Sequence, residues 1–250
     1  MPRVQRQPKH HSLYRPPRHC KLDQSPGNRS GIISGEEHAT TSSIGDKSFF
    51  TRHIFPMDIM HHMDCKGVAS IVFGSLLMYA IRDPQFGANQ GSRIDRINAE
   101  LRSWYDARPG SNRLPSIRIS DITKEGWGDL HGPAIKAAMT RQAAPFFADF
   151  AQRFFSADRS AYEGHMVDVT RDLDAFYKVF EGQGMFMSPA SVRKLSQICQ
   201  RFGSSIMHLR NLARDQNLLA WQVTTKVHKT QHLPMMSRLL NPRLTSCSAH

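Results

Sequence analysis

Apolar side chains recur at helical intervals along much of the chain, and the clearest run comes late. Between residues 160 and 181, Tyr162, Met166, Val169, Leu173, Phe176 and Phe180 follow one another at four, three, four, three and four. That rhythm lines them up on one face of an α-helix. Gly182-Gln183-Gly184 ends the pattern, and Ser188-Pro189 supplies an N-cap and first-turn signature for a second long helix over 188–215. Its inward face is expected to carry Val192, Leu195, Ile198, Phe202, Ile206, Leu209 and Leu212. Two long amphipathic helices joined by so short a loop should pack antiparallel.

The earlier half reads less evenly. A helix is predicted over about 58–82, with Pro56 beside its start and Asp83-Pro84 at its end. From Val68 to Ile81 nearly every position is apolar or small, the mark of a helix buried on most sides. Gly74 and Ser75 within it would let another helix approach closely. Ser92 is expected to cap a helix over 92–108 built on Ile94, Ile97, Leu101, Trp104 and Tyr105 and stopped by Pro109-Gly110. A third stretch, 131–155, is interrupted at Pro145, which removes a backbone donor. Phe146, Phe147, Phe150, Phe154 and Phe155 in it are read as core rather than as a surface for stacking bases. Ile117, Ile119 and Ile122 suggest a short extended piece, as do Leu218 to Val223, and a last helix is expected over 226–240 before Asn241-Pro242. The fold class is therefore mainly α, with at most one or two short strands near Ile117 and Leu219, and no internal repeat points to a solenoid.

Composition changes this picture at the two ends. Residues 1–48 are rich in Pro, Arg, His, Ser and Gly and lack periodicity, so burial there could not offset the entropy of ordering. They are read as a disordered basic tail, with 49–250 as the helical domain. His10-His11 and His19-Cys20 in that tail are treated as low-complexity sequence. The net charge of +12 is unevenly placed: residues 1–50 hold 8 Lys and Arg against 4 Asp and Glu, 51–192 hold 16 against 16, and 193–250 hold 9 against 1. A basic end segment favours a polyanion. The four cysteines, Cys20, Cys65, Cys199 and Cys247, show no disulfide-framework spacing, so an intracellular location is expected. No signal peptide is visible, and the run from Gly67 to Ile81 is short of the roughly 20 residues of a spanning helix. A soluble protein without membrane contact is the expectation.

Chemistry-bearing side chains crowd into Asp58-Ile59-Met60-His61-His62-Met63-Asp64-Cys65. On a helix, Asp58, His61 and Cys65 would share one face. His228 and His232 lie four apart further on. Should the two helices meet, His61, Cys65, His228 and His232 would form a four-ligand zinc site. The other chemistries thin out: there is no HExxH, glycine-rich phosphate loop, GxSxG or dinucleotide fingerprint.

The segment Phe55-Pro56-Met57-Asp58-Ile59-Met60-His61, followed by Asp64-Cys65-Lys66-Gly67-Val68, resembles the segment with an Asp-x-Met-His motif in eukaryotic cut-and-paste DNA transposases, CACTA-like and hAT-like in character. Trp221 to Leu233, containing Lys226, His228 and His232, is similar to the Lys-x-His-x-x-x-His-Leu segment that precedes their last catalytic acid. The resemblance covers about residues 53–245. It implies an RNase H-like domain interrupted by a helical insertion, with Asp58 and His61 as the family positions carried over. Strand transfer in that family needs two divalent metals held by three carboxylates, and neither the first catalytic aspartate nor an acid after Asp215 is found here. The expectation is an inactive, truncated, transposon-derived fragment without a cofactor. It would bind DNA or RNA weakly and without sequence preference through Arg193, Lys194, Arg201, Arg210, Arg214, Lys226, Lys229, Arg238 and Arg243, and be nuclear if it binds DNA. A zinc-stabilised helical protein-interaction module is the alternative.

Overall fold

The computed structural model describes residues 60–64, 66–108, 112–181 and 187–239, with the backbone alone at Met60, His61 and 235–239. The expected basic tail, Asp58 and Cys65 lie outside these residues. Seven α-helices make up most of what is described: α1 (Val68–Ala80), α2 (Gln90–Asp106), α3 (Ala137–Gln142), α4 (Ala144–Phe154), α5 (Ala161–Glu181), α6 (Pro189–Asp215) and α7 (Thr225–Leu239). One antiparallel hairpin, β1 (Thr123–Lys124) with β2 (Trp127–Gly128), is the sheet among the described residues. The protein is mainly α, as the periodicity predicted.

α1 is the axis of the described helices. Every one of its residues except Tyr79 is buried, and they meet α3, α4 and α5 together with the hairpin. The expected helix from residue 58 begins later, at Val68. Before it, Met60–Asp64 forms a π-helical turn, whose wider winding suspends the three- and four-residue spacing of an α-helix. Gly67 joins the two. A Cβ there would come within 2.3 Å of the His62 carbonyl oxygen, so only glycine lets the turn fold back this tightly.

The close approach expected at Gly74 and Ser75 is real, but the visitor is not a helix. The backbone of Gly128 and Asp129 crosses there, and a Cβ at Gly74 would lie 2.3 Å from the Asp129 nitrogen. The Leu130 amide donates to the Ser70 carbonyl (2.8 Å), the Trp221 amide to Ser75 Oγ (2.8 Å), and the Gly128 amide to the Leu219 carbonyl (2.9 Å). Side chains too small to fill a groove let polar backbone reach the core and find partners there. Trp221 is fully buried and donates its indole N–H to the Tyr162 hydroxyl (2.6 Å).

The strand sits slightly later than the isoleucines suggested. Glu125 and Gly126 both take positive φ (52° and 85°), the two-residue turn that matches strand twist, and so place the hairpin at 123–128. Ile119–Asp121 is a 3₁₀ turn, and 218–223 runs beside the hairpin without becoming a strand. α2 is capped by Asn89, one turn before the predicted cap. Ser92 instead completes the capping box, exchanging bonds of 2.9 and 3.1 Å with Asn89. The helix expected from His131 starts only at Ala137, because Gly132 precedes Pro133 and takes a φ of 153°, away from the helical region. Pro145 sets the predicted break: α3 ends at Gln142, and the proline occupies the first turn of α4.

The phenylalanine stripe is core. Phe146, Phe147 and Phe150 are fully buried, Phe147 stacks on Phe73 of α1 at 4.0 Å between ring centroids, and Phe150 stacks on Phe86 at 5.5 Å. α5 and α6 pack as predicted. Asp172 faces Arg201 and His165 faces His208, so partner numbers fall in one helix as they rise in the other, the register of antiparallel neighbours. The stretch His62–Ala80 is long and apolar enough to cross a membrane by length and composition alone, yet 88% of it is buried inside the protein. It gives no clear transmembrane span among the described residues.

Candidate nucleic-acid interface

α6 is the longest helix among the described residues, 27 residues, or about 40 Å at 1.5 Å per residue. Its apolar arc, from Val192 through Leu195, Ile198, Phe202, Ile206 and Leu209, is turned inward against α5 and α7. The outward arc then carries Arg193, Lys194, Arg201, Arg210 and Arg214, all exposed, against one acid, Asp215. Between the cations stand Gln197, Gln200, Ser204 and Asn211, which carry no charge, together with exposed Met207 and His208.

The five cations are not equivalent. Arg201 donates from Nη2 (2.6 Å) and Nε (3.2 Å) to Oδ1 of Asp172, a carboxylate that is 1% exposed on α5. The hydrogen bond to Asp172 raises the guanidinium pKa further above its ordinary value. Arg201 is thus an interhelical tie, and much of its charge is spent inside the protein. Arg214 reaches only its neighbour Asp215, at 3.9 Å. Arg193, Lys194 and Arg210 have no ion-pair partner among the described residues. Arg193 and Lys194 lie in the first turns of α6, Arg210 and Arg214 in the last two. At the C-terminal end such cations also complement the helix dipole.

α7 adds to the same sign. Thr225–Leu239 contains Lys226, Lys229 and Arg238 and no acid. Lys229 is exposed, whereas half-buried Lys226 donates Nζ to the Lys66 carbonyl (2.5 Å). The Arg238 side chain and all of Arg243 lie outside the described residues. α7 meets α6 where Gln231 lies against Gly203.

His228 and His232 occupy the exposed side of α7, their Nε2 atoms 3.1 Å apart. The side of α7 that meets the π turn is different: Thr230, buried, takes part in a 3.2 Å hydrogen bond with Nε2 of His62 and packs on Met63. His62 is buried as well, and that burial holds its pKa below the ordinary histidine value. The side chains of His61 and Cys65 lie outside the described residues. Among the described residues no three His, Cys, Asp or Glu side chains gather to hold a metal ion.

Two constellations escaped the sequence reading. Asp64, wholly buried at the end of the π turn, accepts from Arg141 Nη2 (2.8 Å) and Nε (3.2 Å) and from the Tyr177 hydroxyl (2.6 Å). Burial first, and the Asp64 charge second, push the Tyr177 pKa well above its usual value. The phenol stays a donor, so the group acts as a fixed clamp joining the turn to α3 and α5. A lone Arg141, 77 residues away in sequence, carried no local signal for it. The second constellation is His165 stacked on His208, with ring centroids 4.9 Å apart and planes within 3°. Burial, and then the charge of His208, lower the His165 pKa. Only the antiparallel register of α5 and α6 could have paired them. Burial also pushes the Cys199 thiol up to about 12, with Asp172 adding to it, which leaves an inert core thiol.

Comparison with family models, curated proteins and solved structures finds no match to this chain.

Proposed function

We propose that this chain binds nucleic acid without sequence preference, through the outer face of α6 and the exposed side of α7. The observation that carries the reading is the outer arc of α6, with five cations against one acid, of which Arg201 alone is tied to a buried carboxylate of the neighbouring helix. Cations spread along a helix of about 40 Å are spaced to meet several phosphates, and release of counterions from the polyanion would drive association. The outward face of α6 carries no Phe, Tyr or Trp on which bases could stack, Phe202 being buried. That favours phosphate contact over base readout.

The likeness of Phe55 to Val68 and of Trp221 to Leu233 to cut-and-paste DNA transposases fits the same reading, and a transposon origin belongs to the proposal. Binding, not strand transfer, is what it claims for this chain. The test is fluorescence anisotropy on labelled duplex DNA and duplex RNA. With about four phosphates contacted, affinity should fall roughly a hundredfold between about 50 and about 200 mM salt. No measurable binding at low salt sinks the proposal.

A further inference from the structure

His228 and His232 are the pair that the nucleic-acid reading leaves unused, and their geometry has its own meaning. They sit one turn apart on the exposed side of α7, with rings tilted at 78° and centroids 4.7 Å apart. Their Nε2 atoms are 3.1 Å apart. In the metal-free pair one ring donates its Nε2–H to the lone pair of the other. Two imidazole nitrogens bound to one ion at about 2.0–2.1 Å and separated by this distance subtend about 100° at the metal. That lies between the square-planar and tetrahedral angles, so the two nitrogens already stand at the separation one ion requires, and turning the rings about their side-chain bonds aims both lone pairs at it.

We infer that His228 and His232 chelate one divalent transition ion of borderline softness, such as Zn²⁺ or Cu²⁺, in a two-nitrogen surface site. Both rings bind through Nε2. The single Nε2–H of the metal-free pair moves to Nδ1 of its own ring through solvent, so that both imidazoles are neutral Nδ1–H tautomers, and water completes the coordination. The backbone sets the bite: residues four apart on a helix face one another, whereas adjacent residues do not present two nitrogens to the same point. Lys226 does not compete for the space, since its Nζ is turned to the Lys66 carbonyl. The inference uses neither His61 nor Cys65 and does not rest on the nucleic-acid proposal.

The test is calorimetric titration of the full chain with Zn²⁺, Cu²⁺ and Mg²⁺ separately. Four proteins are compared: the wild type, His228→Ala, His232→Ala, and the double substitution Lys229→His with His232→Ala. The last keeps the number of histidines but places two of them side by side in sequence, where they point apart. All three positions are exposed, so circular dichroism should be the same for each protein. The wild type should take up one more Zn²⁺ per chain than any of the three variants, bind Cu²⁺ more tightly than Zn²⁺, and ignore Mg²⁺, which prefers oxygen ligands. Equal uptake by all four proteins overturns the inference. So does uptake by the spacing variant that equals the wild type, because binding would then follow histidine content rather than the turn of α7.

Discussion

α1 and α6 answer to different masters. The shorter helix is enclosed on nearly every side, carries no charge, and is shaped by what crosses it: Gly67, Gly74 and Ser75 are small because backbone passes there. The longer helix is buried on one side, and apart from Arg201 and His208, which reach Asp172 and His165 of α5, its outward side chains are not dictated by packing. A helix whose composition is fully required by folding is silent about function. Where folding leaves positions undecided, a strong bias such as five cations to one acid needs another cause, and it is there that function should be sought.

Interior substitutions should have the largest effects and should act on stability. Asp64→Ala leaves the Arg141 guanidinium and the Tyr177 hydroxyl without their buried partner, and should cost about 3–5 kcal/mol, read from urea denaturation. A cost below about 1 kcal/mol would show that the clamp is open to water. Gly74→Ala comes next. Its methyl group would overlap the Asp129 backbone, and the expected loss is about 3 kcal/mol, at the upper end of overpacking costs. An unchanged midpoint would mean that the hairpin does not cross α1 there.

The outer face of α6 should behave in the opposite way. Replacing Arg193, Lys194, Arg210 and Arg214 together by Gln should move stability by no more than about 0.5 kcal/mol per site. It should also flatten the salt dependence of nucleic-acid binding by up to about 0.9 in log–log slope for each phosphate no longer neutralised. If stability falls and binding does not, the contrast between the two helices fails. The smallest effect expected is on acidification. Burial holds His62 and His165 below the ordinary histidine pKa in the folded chain, so the unfolded chain takes up more protons. Their contribution is complete above an unfolded value of about 6.5 and is lost as pH falls through it toward the lowered folded values. Melting temperature should therefore decline over that window, and less so in His62→Gln. An identical slope in that variant would assign the decline to other groups.

How far the sequence foretold all this follows the same division. α5 and α6 were legible because amphipathic repetition, Ser188-Pro189 and a short connection each act locally. The crossing at Gly74 was half legible: small residues announced a close approach, but nothing local distinguished an arriving helix from an arriving hairpin. The cap of α2 slipped from Ser92 to Asn89 because both residues accept backbone hydrogen bonds and only the helix's true start decides between them. The cationic arc of α6 was readable as composition, yet the sequence could not show that Arg201 is tied down by Asp172 while Arg193 is not. The Asp64 clamp and the stacked histidines were invisible, because each depends on side chains meeting across tens of residues.

The hydrogen bonds of α1 also bear on the order in which the chain matures. The first α-helix of the described residues shares bonds with Leu130 and Trp221, 60 and 146 positions further on. A chain emerging from the ribosome has therefore made its most water-averse segment long before the residues that shelter it exist. Pairings so distant in sequence close slowly, and exposed apolar surface invites aggregation in the interval. Chains halted after residue 215 should accordingly bind a hydrophobic dye that the finished protein excludes, and equal dye binding by both would show that α1 is covered early. What makes α1 the most enclosed of the described helices in the finished chain makes it the most exposed in the unfinished one.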